Sequence, residues 1–141
     1  MQHSEAVAAA ARAWCERMSA GDADGVAGTI TDDPESFAIG TQRIGSGREA
    51  WLNSAREMTQ MHVGWEWSEL RAWEADGAGL AVGEITASLP GGPTLPMRAT
   101  AFLVRDGDRF RIFHMHFSWG VPDEVALPQA ESWREQLANV G

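Results

Sequence analysis

The sequence predicts a single α+β domain, with N-terminal helices packed in a curved antiparallel β-sheet. Three observations predict it. Apolar residues recur at helical spacing near the N-terminus, where Val7, Ala11, Trp14 and Met18 share one face. From Val63 onward the period changes to that of a strand, with Val63, Trp65 and Trp67 separated by Gly64 and Glu66. Turn signals then punctuate the second half at Asp76-Gly77, Pro90-Gly91-Gly92-Pro93 and Asp106-Gly107-Asp108. A helical layer followed by a run of hairpin-connected strands is the α+β pattern. At 141 residues the chain has the length of one domain. That domain is expected over 1–141, with a core over about 5–125 and a C-terminal helix over about 128–139.

Each element has its own signal. Ser4 is a candidate N-cap for the first helix, and Gly21 follows its last apolar residue. Asp22 can cap a shorter second helix running to about Ile30. After Asp32-Asp33-Pro34, the run Phe37-Ala38-Ile39-Gly40 reads as a strand. Ser46-Gly47-Arg48-Glu49 matches a capping box, and Trp51, Ala55 and Met58 share the face of the helix behind it. The strand from Val63 towards Trp73 loses its alternation near Ser68–Leu70, which marks a bulge. Leu80–Leu89, Met97–Val104 and Phe110–Trp119 read as three more strands. Pro122 and Pro128 break the chain, and Ala130, Trp133 and Leu137 mark the terminal helix.

Composition excludes several functions. Acidic residues outnumber basic ones 20 to 11, for a formal charge of −9, which leaves no basic face for nucleic acid. All the basic residues are arginine, so a lysine Schiff base is excluded, and the absence of tyrosine removes one common general acid. The lone Cys15 allows no intrachain disulfide and no thiolate metal cluster. It reads as a small buried hydrophobe beside Trp14. The N-terminus lacks the cationic start of a signal peptide, and no apolar run reaches bilayer-spanning length. A bacterial-type cytoplasmic protein with no membrane partner is the expectation.

The element order, Ile39-Gly40-Thr41, Gly47-Arg48-Glu49-Ala50 and the closing Phe110-Arg111-Ile112-Phe113-His114-Met115-His116-Phe117-Ser118 resemble the SnoaL-like domains. These belong to the nuclear transport factor 2-like, cystatin-like superfamily. The final strand with Gly120-Val121-Pro122 is also similar to the association domain of calcium/calmodulin-dependent protein kinase II. The resemblance implies a conical pocket and a dimer packed through the outer sheet surface. It does not imply one reaction. Ketosteroid isomerase-like members use a tyrosine and aspartates in the cone, and Gly40 and Thr41 stand here where a base is expected. The Asp-Arg-Asp cluster of limonene epoxide hydrolases is not evident either, so no catalytic residue carries over from those groups.

The residues themselves offer candidates. His114 and His116 share a strand face, read as the same face as Phe110, Ile112 and Ser118. They could bind a metal with Glu84 or His62 as a third ligand, or be packed polar residues at a sheet surface or subunit interface. The second reading is preferred, and no metal or cofactor is expected. Glu84 and Arg98 interrupt apolar strands, either as cavity groups that orient a ligand or as charges facing solvent. As candidate catalytic residues, His114 and Glu84 would form an acid/base pair for isomerisation, cyclisation or dehydration of a hydrophobic metabolite. Candidate ligand-binding residues are Arg98, His116, Trp65, Trp67, Trp119, Trp51 and Phe37, whose aromatic walls suit a small apolar or aromatic molecule. The alternative is a non-catalytic ligand-binding or association module. Apolar residues on both parities of the strands, such as Ile112 and Phe113, leave a second greasy face that a homodimer would cover.

Overall fold

A computed structural model describes residues 1–40, 44–45 and 47–139. Helix α1 (Glu5–Ser19) begins where expected: the Ser4 hydroxyl accepts from the Val7 amide at 3.2 Å and donates to Glu74 at 3.0 Å. One short side chain therefore caps the helix and ties it to the sheet. Val7, Ala11, Trp14 and Met18 are all buried, as the helical spacing requires. The Asp22 carboxylate caps α2 (Ala23–Thr29) by accepting from the Gly25 amide at 2.8 Å.

The expected capping box does not open α3 (Arg48–Gln60). Gly47 is the N-cap, with φ of 86°, and no side chain caps this helix. The helix therefore starts one residue later than the box predicts, which moves Glu49 from N3 to N2, out of box geometry. Ser46, like Thr41, lies outside the described residues.

Seven strands form one sheet: β1 (Gln2–His3), β2 (Phe37–Ile39), β3 (Ile44–Gly45), β4 (Gly64–Ala75), β5 (Ala78–Ser88), β6 (Thr94–Asp106) and β7 (Arg109–Trp119), in the order β1-β4-β5-β6-β7-β2-β3. The sheet is mixed rather than wholly antiparallel, because β2 runs parallel to β7. The chain can make that parallel pair because α3 and three hairpin strands intervene between its members. Positive φ at Asp76 and Gly77 makes the tight β4–β5 turn.

The sheet curls tightly around α1. Trp65 on β4 and Phe117 on β7 are three strands apart, about 14 Å in a flat sheet. Their ring centroids nevertheless lie only 6.1 Å apart, and Trp14 of α1 contacts both. Two bulges assist the bend. The first, between Trp67 and Glu69, was legible as the break in alternation. The backbone approaches so closely there that a Cβ on Gly83 would sit 1.8 Å from the Glu69 carbonyl oxygen, so only glycine fits.

The second bulge falls at Phe113, where Phe102 pairs with His114 but Leu103 pairs with Ile112. One extra residue reverses the alternation. Phe110 and Ile112 therefore do not share a face with His114, His116 and Ser118, contrary to expectation. Ile112 is buried beneath the helices, and the two histidines face the other way.

The core lies between the helices and the inner sheet face. Trp14, Trp51, Trp67, Met97, Met115 and Phe117 occupy it. The chain ends in α4 (Asp123–Ala126), a 3-10 turn and α5 (Ala130–Ala138), the last lying within the helix expected over about 128–139. Trp133 is 45% exposed and is not a core residue, since α5 packs chiefly on its own turn rather than on the sheet. No helix among the described residues is long and apolar enough to cross a membrane.

Candidate functional site

Strand register assigns every candidate residue to a face. Trp65, Trp67 and Trp119 lie on the inner face, and Trp51 packs into the same core from α3. Phe37, Glu84, Arg98, His114 and His116 lie on the outer face, away from the helices. The tryptophan and the ionisable candidates are therefore on opposite sides of one sheet.

The outer face reads in rows across the strands. One row runs Trp73, Leu80, Phe102, His114, Phe37, extended at the sheet edge by His3, whose ring lies 5.5 Å from that of Trp73. The next runs Arg71, Val82, Thr100, His116, Ile39. The third, Glu69, Glu84, Arg98, Ser118, is polar throughout. The face thus grades from aromatic to charged over three rows.

This register corrects the acid/base pair. His114 lies opposite Phe102 and Glu84 opposite Arg98, so the two are two strands and four residues apart, about 16 Å. No single substrate atom lies within hydrogen-bond reach of both. Glu84 and Arg98 are exposed direct neighbours, the solvent-facing alternative. Among the described residues, no three His, Cys, Asp or Glu side chains gather as metal ligands.

His114 is anchored. Its ring stacks on Phe37 at 4.1 Å between centroids, and Nδ1 lies 3.2 Å from the Phe37 carbonyl oxygen. A carbonyl can only accept, so Nδ1 carries the proton and Nε2 is left as the free acceptor of the neutral ring. Burial holds the His114 pKa below the usual histidine value and nearby His116 lowers it further, while the hydrogen bond to Phe37 opposes both. Phe113 makes edge contacts with Phe37 and Phe102, completing an aromatic cluster of which Phe102 is 39% exposed.

The inner face is aromatic and largely filled. The Trp67 indole donates to the Ala11 carbonyl at 3.2 Å. The indole N–H groups of Trp14 and Trp65 are buried without an acceptor. Burial pushes the Cys15 thiol up to about 12, with Glu16 and Glu66 adding to it, so this cysteine is no nucleophile at neutral pH.

Sequence reasoning missed one cluster. The Arg111 side chain, only 8% exposed, donates to both Asp32 oxygens at 2.8 and 3.0 Å and to Asp106 at 2.7 Å. Arg48 also reaches Asp32, at 3.2 Å, and donates to the Thr31 carbonyl. The Arg111 hydrogen bond is the main reason the Asp32 carboxyl sits below its ordinary range. The only available signal was an arginine in a strand otherwise rich in apolar residues. Beside it an open hollow of about 650 Å³ is lined by Asp32, Arg48, Glu49 and Arg56 among others. Both charge signs meet there, and the shape is shallow.

The sequence profile of the SnoaL-like domain matches residues 7–124. No curated protein matches significantly. Among solved structures, an uncharacterised protein with a cystatin-like fold from Caulobacter vibrioides superposes with a TM-score of 0.72 at 18% identity, covering 91% of this chain and 96% of that one. A candidate calcium/calmodulin-dependent protein kinase type II association domain from Thiobacillus denitrificans gives 0.70 at 16% identity, covering 79% and 93%. A candidate dehydratase of the nuclear transport factor 2-like family from Streptomyces avermitilis gives 0.69 at 18% identity, covering 84% and 97%. At these identities the likeness is one of fold.

Proposed function

The chain belongs to the SnoaL-like domain family, and from that premise we propose that it is a self-associating domain whose outer sheet face pairs with a second copy. The observation that carries the reading is the unbroken row Trp73, Leu80, Phe102, His114 and Phe37 on the face opposite the helices. A sheet with two apolar faces and helices on only one needs a second cover. Five strands by three rows give a footprint of about 24 by 20 Å, or roughly 500 Å² before side-chain relief is counted. That is the order of the ~800 Å² each partner buries in a standard interface. A two-fold pairing also lets Arg98 of one polar row meet the glutamates of the other, because the same patch serves both copies. Likeness to an association domain agrees with this.

The test is Phe102→Arg. The residue is half in solvent, so the substitution leaves the fold intact and places a charge in the proposed contact. The variant should elute as a monomer with an unchanged circular dichroism spectrum, and the parent as a dimer. Identical elution of the two would overturn the reading.

A second reading, a small molecule held at the inner aromatic face, is favoured by the two indole donors without acceptors.

A further inference from the structure

A strand points side chains two residues apart to the same face, about 7 Å from each other along the chain. His114 and His116 stand in that relation on the outer face of β7, beyond the Phe113 bulge. They are near enough that the charge of His116 is felt at His114. His114 is also prepared as a ligand. Its ring is pinned by the stack on Phe37, and Nδ1 donates to the Phe37 carbonyl oxygen at 3.2 Å, which leaves the Nε2 lone pair free. A histidine that binds a metal almost always gives its other ring N–H to such an acceptor, which fixes the tautomer and aims the lone pair. His116 is exposed beside it. Alone, the chain stops at two imidazoles, since among the described residues no third His, Cys, Asp or Glu gathers with them. A closed zinc site takes four ligands.

We propose that His114 and His116 form half of a zinc site, which the same two residues of a second copy complete across the two-fold axis. The inference rests on the self-association proposed above and names a ligand for that interface. A two-fold pairing lays one patch on itself, so residues near its middle meet their own counterparts. The middle of the five-strand, three-row patch is Thr100, and His116 lies opposite Thr100 on the neighbouring strand, about 5 Å away. Packed sheets stand about 10 Å apart, a gap that two facing imidazoles can span with a metal ion about 2 Å from each nitrogen. Neutral imidazole suits zinc, whereas calcium and magnesium take oxygen ligands. Charge agrees, because each chain carries −9 and a divalent cation between two copies offsets their repulsion. In the adjoining polar row Glu69 and Glu84 add to that negative charge, and Arg98 opposes it.

The experiment takes the full chain without a histidine tag, strips it with EDTA and titrates it with zinc sulfate, with cobalt(II) as the spectroscopic substitute. Binding should saturate at one zinc per two chains, and cobalt should give the intense visible absorption of a tetrahedral site. His114→Ala and His116→Ala should each abolish that stoichiometry and that spectrum. His116 is exposed, so its variant carries the test should the His114 variant fail to fold. His62→Asn, in the turn between α3 and β4, should keep both signals. In sedimentation equilibrium the dimer dissociation constant should fall about tenfold once free zinc exceeds its own dissociation constant about tenfold, because zinc binds the paired form. One zinc per chain with unchanged association would overturn the shared site. A dimer that takes up no zinc would overturn the metal assignment and leave self-association standing. A monomer both with and without zinc would overturn the two together.

Discussion

Replacing Gly83 by alanine tests the account of how the sheet bends. The added Cβ would lie 1.8 Å from the Glu69 carbonyl oxygen, 2.7 Å from its carbon and 3.2 Å from the Leu70 Cα. All three are backbone atoms, so no rotamer relieves the clash, and β4 and β5 must separate by roughly 1.5 Å to restore van der Waals contact. Overpacking of this kind costs about 1–3 kcal/mol, and a lost ladder hydrogen bond beside the bulge about 1 more. Lower unfolded-state entropy returns about 0.5–1 kcal/mol. The net loss is about 1–3.5 kcal/mol. With an unfolding entropy of about 0.3 kcal/mol/K for 141 residues, the midpoint should fall by about 3–12 °C. Gly28, in α2, is the control: nothing lies within 4 Å of its added Cβ, so Gly28→Ala should raise stability by about 0.5–1 kcal/mol. Differential scanning calorimetry reads both. A Gly83→Ala midpoint equal to or above that of the parent would refute the steric argument.

The folded-state pKa of His114 is depressed, so its contribution to stability is present above the unfolded value of 6.5 and is lost as pH falls through the folded one. Melting temperature should therefore drop on acidification below about 6.5, and His114→Gln should flatten that drop; a rise on acidification would contradict the burial argument. Cys15, with its thiol pushed up to about 12, should resist iodoacetamide at pH 8 until the chain unfolds, and prompt labelling of the native protein would disprove its inertness. Arg111→Lys cannot reproduce the forked contact with Asp32 and Asp106, so hydrogen exchange at the Thr31 amide, which donates to the Ile112 carbonyl, should quicken. Unchanged protection there would mean that the arginine does not hold this loop.

The helices and most strands were legible because their signals are local. Val7, Ala11, Trp14 and Met18 announce the buried face of α1, and Ser4 announces its cap. The Ser68 bulge showed itself because its strand has one wet face, which makes a lapse in alternation visible. The Phe113 bulge did not. Around it Phe110, Ile112, Phe113 and Met115 place apolar groups on both faces, so alternation carries no information, and no glycine or proline marks the extra residue. That single residue decides which way the histidines face. Strand β1 is two residues long and the parallel β2–β7 pair joins distant segments, so neither had a local signature. The Arg111 cluster escaped for a related reason: its partner Asp32 is 79 residues away.

The central claim is that the aromatic outer face is buried against its own copy. Sedimentation equilibrium of the unaltered chain at micromolar concentration and pH 8, where His114 is neutral, tests it most directly. The account predicts a mass of twice the 15.3 kDa chain, falling towards one chain on acidification through the histidine range. A single-chain mass at pH 8 across the accessible concentrations would contradict it.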